Sequence, residues 1–580
     1  MPLKRIVLLS LFAVASSSWS AAAQTSAFQT KLRTLSEEFW TWRATEQPFT
    51  NDDIPRIERA EPFVVHWAPG DVTQYKAKVD AFEKQWRALS AAQEPVADQV
   101  DYRLLGSAIA RVHWELTIFP MWKENPFFYV DQSLGSVYAA LLPKPPITPA
   151  REEIILSRLE RMPYTLEEGK KNLTDIRAPY VRATLSGLKD IEAQMQQVHD
   201  GLLPVLSGAN KPRFEKAEAA AVKALLEYRD WVSTRGKSTL PEKTAVGREG
   251  YVWFLRNVAL MKYSPEDLLR MGRQEWERSV SFETLARAAS TGIPDAPFYG
   301  TIEKQMDAEK ANELAIRKYM VTHGVLSDPA EVRHYYYLPV PPYIAALSFM
   351  GVTDDLTGPS RLEEDGTSYK GTPSPTTNFW GAITGRDTRP LTLHEGSPGH
   401  YFQMAWSWHH PDPIRRHYYD SESNEGIGFY AEEMALEAGL FDDSPHMKEA
   451  IYGMMRLRAL RVEVDVKLAL GEFTLEQAAD YLTKVVPMDR GTATSEAIMF
   501  ASTPGQAITY QIGKLDIQRL MTDARQKQGE NFKLQQFHDF IWLNGNLPFS
   551  LVRWEMLNDS SDVPPVAPSC LEAKRNSRAI

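Results

Sequence analysis

The sequence has 580 residues, of which 43% are hydrophobic and 24% are charged. This composition is typical of a globular protein and provides ample apolar material for a large core. The net charge is −10, and no stripe of basic residues interleaved with aromatic residues occurs, which argues against nucleic acid as a partner.

Residues 1–23 are typical of a secretory signal peptide. Lys4 and Arg5 precede an apolar run over 6–15, and small residues follow up to Ala23, after which cleavage is expected. The apolar run is too short for a comfortable membrane span, and no other segment approaches ~20 uninterrupted apolar residues. The sequence therefore predicts an exported protein, periplasmic or secreted, without stable membrane insertion.

Helical periodicity dominates the mature chain. Apolar residues recur at helical intervals over 72–92, 101–116 and 214–232, with charged residues between them. The sequence TLEQ at 474–477 is a capping-box pattern at the start of another helix. The predicted fold class is therefore mostly α.

The least helical region is 335–387, which is rich in Gly, Thr, Ser and Pro and predicts a loop with one or two short strands. We expect a single folded unit over 24–558 and a polar C-terminal tail over 559–580 that lies outside the fold. The only cysteine, Cys570, lies in this tail and cannot form an internal disulfide.

The sequence LHEGSPGHYFQ at 393–403 resembles a distorted zinc-protease signature H-E-x-x-H. His394 and His400 are six positions apart, which on a regular helix would leave their rings about 120° apart around the axis. Pro398 cannot donate a hydrogen bond to the carbonyl of His394, and its ring clashes there, so the helix must widen or break. Because Gly399 can take backbone angles closed to other residues, this turn can rotate His400 back toward His394.

Two carboxylates complete the candidate site. Glu395 follows the first histidine, where the zincin pattern places the base that takes a proton from water. Glu425 is the best candidate for a third ligand, at the start of a helix that Asn424 is expected to cap. Gly428 and Glu432 share a helical face with Glu425, so that Gly428 would allow close approach and Glu432 could orient a ligating imidazole.

Simpler interpretations compete with a metal site. A His-Glu pair occurs often by chance, and a histidine on a helix is usually a hydrogen-bonded or surface residue. A carboxylate such as Glu425 in a first helical turn is commonly a favourable contact with the helix dipole. Spacing alone does not separate these interpretations.

Four motifs occur in a fixed order: HEGSPGHYFQ at 394–403, EGIGFYAEEM at 425–434, PGQAITYQIGKLDI at 504–517 and FHDFIWLNGNLPFSLV at 537–552. In these motifs the chain resembles the bacterial family catalogued as domain of unknown function 885, over nearly its whole mature length. That family resembles a helical branch of the glutamate-zincin (gluzincin) metallopeptidases, related to thimet-type oligopeptidases and Taq-type carboxypeptidases. The resemblance implies a large helical metallopeptidase-like fold with a short irregular or strand segment before the His-Glu helix.

The resemblance also implies roles for individual residues. In those oligopeptidases a glutamate well beyond the second histidine is the third ligand, and another follows seven positions later. Here Glu425 lies 25 positions after His400, and Glu432 lies seven after Glu425. The implied ligands of one zinc per chain are His394, His400 and Glu425. Tyr510 falls where a late tyrosine of those enzymes stabilises the oxyanion.

Three positions depart from the family pattern. Ala469 replaces a histidine, and Met499 and Met521 stand where arginines are common. If those arginines hold an anionic end of the substrate, their loss weakens the expectation of carboxypeptidase-like recognition.

Together these features predict an exported zinc-dependent hydrolase, a metallopeptidase that cleaves peptides with metal-activated water. One alternative is a metallohydrolase or lyase that acts on a non-peptide, amide-like small molecule. Another is a catalytically inactive zinc-containing binding protein, against which the intact Glu395 counts because binding needs no base. The expected partner is a peptide or small amide substrate, and the sequence holds no signal for an oligomeric state.

Overall fold

The computed structural model describes residues 26–47, 57–59, 61, 63–374, 379–486 and 488–566. The chain is 68% helical, with one small sheet, which confirms the mostly α fold class. The predicted signal peptide, 1–23, lies outside the described residues. No helix among the described residues is long and apolar enough to cross a membrane.

The N-terminal half consists of helices that bury one apolar face. These are α1 (Ala27–Thr45), α2 (Pro69–Arg87), α3 (Val96–His113), α4 (Met121–Glu124), α5 (Phe127–Val130), α6 (Ser136–Leu141), α7 (Pro149–Asn172), α8 (Ala178–Gly187), α9 (Ile191–Leu202) and α10 (Lys211–Arg235). Helices α2, α3 and α10 confirm the three periodic segments. In α2 the buried apolar residues recur three and four positions apart, at Val72, Tyr75, Val79, Phe82 and Trp86.

The second half carries the long helices that surround the motifs. These are α11 (Gly247–Asn257), α12 (Pro265–Ser290), α13 (Ile302–Thr322), α14 (Pro342–Ala345), α15 (Phe379–Thr384), α16 (Arg389–Leu391), α17 (His400–Ser407), α18 (Pro413–His417), α19 (Ser421–Glu437), α20 (Pro445–Leu470), α21 (Leu475–Val485), α22 (Arg490–Ser502), α23 (Thr509–Gln528), α24 (Leu534–Leu543) and α25 (Phe549–Leu557). The predicted capping box at the start of α21 is present: the Thr474 side chain accepts from the Gln477 amide, and the Gln477 side chain accepts in return.

The sheet lies in the region predicted to be irregular. Strands β1 (Tyr335–Pro339), β2 (Asp354–Asp355) and β3 (Gly366–Lys370) form it in the order β1-β3-β2. Strand β1 pairs with β3 in parallel and β2 pairs with β3 antiparallel. The strand segment before the His-Glu motif is therefore confirmed.

Close helix packing places the elements of the site. A Cβ at Gly426 of α19 would lie 2.7 Å from Gly513 Cα of α23, so the backbones of these two helices touch. A Cβ at Gly272 of α12 would lie 2.9 Å from Val462 of α20. Glycine at these positions lets α12, α19, α20 and α23 pack tightly around one buried centre.

Residues 559–566 are the described part of the predicted tail, and they pack against the body. Asp562 is 3% exposed and forms ion pairs with Lys262 and Arg519.

Candidate metal centre

The backbone of the His-Glu motif leaves the regular α-helix, as the sequence predicted. Residues Thr392–Gly396 form a π-helical turn, Ser397 is extended, and helix α17 begins only at His400. The Ser397–Pro398 peptide bond is cis. Gly399 has φ −71° and ψ −142°, which is neither helical nor extended backbone, and a Cβ there would also overlap the carbonyl oxygen of His394. Both the backbone angles and the close approach of the two backbones favour glycine.

This distorted turn brings three ligand-type atoms together. Nε2 of His394 lies 3.3 Å from Oε2 of Glu425, and Nε2 of His400 lies 3.4 Å from the same oxygen. The two imidazole ring centres are 4.7 Å apart. In the described part of the chain, these three residues are the only group of three His, Cys, Asp or Glu with ligand atoms within 4.8 Å of one another.

Glu425 reaches the histidines from inside helix α19. The predicted cap at Asn424 is wrong: α19 begins at Ser421, and the side chain of Asp420 caps it by accepting from the Glu422 amide. Glu425 therefore lies beyond the first turn, so a contact with the free helix N-terminus does not account for it. Gly428 is the point of close approach, since a Cβ there would lie 3.0 Å from the ring of His394.

A chain of ion pairs orients His394. Its Nδ1 lies 2.7 Å from Oε1 of Glu432, as the sequence predicted for an orienting carboxylate. Arg458 of α20 donates to both oxygens of Glu432, at 2.7 and 3.1 Å. The sequence analysis missed Arg458. It is one of three arginines in MRLRALRV at 455–462, and no local pattern distinguishes it from the other two.

Carboxylates dominate the electrostatics of the cluster. Burial lowers the pKa of His394, but Glu425 and Glu432 outweigh this effect and raise the pKa to about 9. Burial raises the pKa of Glu425, but His400 and His394 outweigh it, and the net pKa lies well below the usual range. The cluster therefore favours positive charge between these side chains, which protons or a metal cation can supply.

Glu395 stands beside the cluster rather than in it. Its Oε2 lies 3.8 Å from Nε2 of His400, and its side chain is 22% exposed, more than that of Glu425 at 11%. Burial raises the pKa of Glu395 despite the opposing effect of His400 and His394. A carboxyl group near a ligand set, partly exposed and with a raised pKa, can serve as a general base.

Tyr510 at the start of α23 covers the other side of His394. The two rings are stacked with centres 6.2 Å apart. Burial and the charge of Glu425 raise the pKa of Tyr510 well above its usual value, so the hydroxyl stays protonated and can donate. Arg461, which the sequence analysis also missed, has its guanidinium 4.8 Å from the Tyr510 ring centre and pairs with Glu496.

The positions that depart from the family pattern lie in different surroundings. Ala469 is buried in an apolar cluster. Met499 is 42% exposed on α22. Met521 follows Tyr510 by 11 residues on the same helix, a separation of roughly 16 Å along its axis. Asp465, four residues before Ala469, accepts hydrogen bonds from the amides of Gly505 and Ala507 and thereby holds the loop before α23.

Comparison with known proteins places the chain in a family. A solved structure described as "a putative lipoprotein of unknown function" from Shewanella oneidensis is similar, with a TM-score of 0.68, 16% identity and coverage of 92% of this chain and 100% of that one. A second, described as a "putative lipoprotein" from Colwellia psychrerythraea, has a TM-score of 0.69, 15% identity and coverage of 92% and 99%. No curated protein matches the chain. The family model described as "Bacterial protein of unknown function (DUF885)" matches residues 67–556, and the chain therefore belongs to this family.

Proposed function

We propose that this protein is an exported zinc-dependent hydrolase that cleaves peptide bonds. The observation that carries the proposal is the convergence of His394, His400 and Glu425. Two imidazoles and one carboxylate are a ligand set of catalytic zinc sites, which keep a fourth position open. Bond lengths of about 2.0–2.1 Å place tetrahedral ligand atoms about 3.3 Å apart. The two distances to the Glu425 oxygen, 3.3 and 3.4 Å, fit that spacing.

The residues around the cluster fit hydrolysis. Zinc, when bound there, would polarise the scissile carbonyl and acidify a coordinated water. Glu395 would accept the proton of the attacking water and return it to the leaving amine. The Tyr510 hydroxyl would donate to the oxygen that becomes negatively charged as water attacks. Glu432 and Arg458 would hold the His394 ring with Nε2 toward the ligand position.

Two observations support export. The N-terminal sequence has the charged start, apolar run and small residues of a signal peptide. Both similar solved structures are described as lipoproteins, a class of exported protein. The chain differs in having no cysteine near its predicted cleavage point, its only one being Cys570.

The test combines metal analysis with a peptide-library digest read by mass spectrometry. We expect about one zinc per chain in the purified protein, and its loss in His394→Ala and His400→Ala. We also expect new peptide termini with the unmodified protein and none with Glu395→Gln at equal zinc content. Full metal occupancy in either histidine variant would refute the ligand set. Zinc without cleavage of any peptide would favour a non-peptide amide substrate or a binding protein.

A further inference from the structure

A cavity between helices α2, α3 and α11 lies apart from the metal centre. Its lining comes from the last turns of α2, one face of α3 and the C-terminal part of α11, closed by Leu260 and Val566. It shares no residue with the His394, His400 and Glu425 cluster. The cavity is small and partly open to solvent, so it can admit a small molecule and not a folded partner.

The lining is basic although the chain as a whole is acidic. Arg87, Arg103 and Arg256 line the cavity, and Glu83 is the only carboxylate among its described lining residues. Three positive charges and one negative charge give a local balance of +2, against −10 for the whole chain. Glu83 pairs with Arg87 at 2.8 Å, which leaves the charges of Arg103 and Arg256.

Neither of these two arginines has an acidic partner within the part of the chain that the structure describes. Arg256 donates to the carbonyl oxygen of Met261 at 3.3 Å. Arg103 forms no ion pair with any described residue, and burial lowers its pKa. A guanidinium withdrawn from water without an acid is costly, and its planar set of donors matches the two oxygens of a carboxylate or phosphate.

One tryptophan provides an apolar wall for the cavity. Trp253 of α11 lines it and is only partly buried. The ring of Trp86 also borders the cavity, but it is stacked on Tyr102 with ring centres 4.7 Å apart and serves to close that side. A flat ring beside arginines favours a ligand with an apolar, planar part.

We propose that this cavity binds an organic oxyanion, a carboxylate or phosphate attached to a flat apolar group. The oxyanion is held by Arg103 and Arg256, and the apolar part lies against Trp253. The site is separate from the proposed catalytic centre and does not depend on a metal.

The test is isothermal titration calorimetry of the metal-stripped full mature protein with three probes of similar shape: benzoate, phenyl phosphate and neutral benzyl alcohol. Metal removal prevents the anions from binding zinc instead. We expect at least one anion to bind saturably in the millimolar range or below, and benzyl alcohol to bind at least about tenfold more weakly. Which anion binds more tightly identifies the oxyanion. Equal affinity for benzyl alcohol, or no saturable binding of either anion, would overturn the proposal.

A substitution locates the binding. Arg103→Gln should weaken the anion at least about tenfold without shifting the thermal unfolding midpoint, because no ion pair of the described chain is lost. Arg235→Gln is the matched control, because Arg235 of α10 lies outside the cavity, with its guanidinium 5.2 Å from the Trp231 ring. Unchanged affinity in Arg103→Gln, or an equal loss in Arg235→Gln, would show that the anion binds elsewhere.

Discussion

Helix α19 presents buried carboxylates on two sides, and the two sides differ in how their charge is balanced. Glu433 lies between Lys514, at 2.6 Å, and Arg278, so cations of the chain neutralise it. Glu425 faces His394 and His400, and among the described residues no Lys or Arg forms an ion pair with it. A buried charge that serves the fold is compensated by Lys or Arg within the chain, whereas Glu425 faces two imidazoles that become positive only when they are protonated.

The largest expected effect concerns the structural side. Glu433→Gln leaves the fully buried Lys514 with Glu275 as its remaining acid, at 2.9 Å, and should cost about 3 kcal/mol of unfolding free energy. Glu425→Gln strands no Lys or Arg, and His394 keeps Glu432 as a carboxylate partner at 2.7 Å, so in metal-free protein it should cost less than Glu433→Gln while abolishing zinc binding. Urea unfolding followed by circular dichroism, with EDTA, measures both. The exposed Glu437→Gln on the same helix is the control, and equal costs at 425 and 433 would contradict the comparison.

The next effect concerns catalysis. Glu395→Gln keeps the shape of the side chain but removes its proton-accepting oxygen, so turnover should fall by a factor on the order of 10² or more. The zinc content should not change, since Glu395 lies outside the ligand set. The assay follows product formation from the peptides identified in the library digest. Turnover near that of the unmodified enzyme would move the base to another residue.

A smaller effect is expected at Arg458. Arg458→Lys keeps the positive charge but loses the two-pronged contact with Glu432, so the His394 ring is held less firmly. Zinc affinity, measured by competition with a chelator, should weaken about 10- to 100-fold. Arg456→Lys is the matched control, because Arg456 lies two residues away on α20 and pairs with Glu283 of α12 instead. Equal zinc affinity in both variants would remove Arg458 from the site.

These residues show how far sequence reasoning reached. The spacing of His394 and His400 around Pro398 predicted a break in the helix, because proline has a local and general effect on helices. Seven-residue spacing placed Glu432 on the face of Glu425, because helix geometry is local too. Arg458 was missed, since its partner is set by the packing of α20 against α19, which no local pattern encodes.

One local interpretation failed and another was incomplete, because both depend on the surrounding fold. Asn424 is a good cap, but Asp420 lies four residues earlier and takes that role, so the helix starts sooner. Gly399 was expected to supply backbone angles closed to other residues, and it also leaves room for the His394 carbonyl. Sequence identifies which residues are able to cap or turn, and the fold decides which of them does so and against what.

Binding of a terminal carboxylate of a substrate would need a cationic side chain, and two candidate cations are already paired with acids of the chain. Lys514 is fully buried between Glu275 and Glu433. Arg519 pairs with Asp516 and Asp562. Neither side chain is available to hold a terminal carboxylate in place of the arginines that the family resemblance predicts at positions 499 and 521.

The smallest expected effect concerns recognition of the C-terminal carboxylate of a peptide, for which Lys514 and Arg519 are not available. Hydrogen bonds to a charged group are worth roughly 1.5–3 kcal/mol, about ten- to a hundred-fold in rate, and methionine offers none. We therefore expect less than tenfold preference for peptides with a free C-terminal carboxylate over the same peptides amidated. Met499→Arg should raise that preference, because residue 499 lies one helical turn from Glu496, which pairs with Arg461. Met521→Arg should not raise it, because residue 521 lies roughly 16 Å along α23 from Tyr510. A strong preference for the free acid in the unmodified enzyme would contradict this prediction and show that another cation holds the carboxylate.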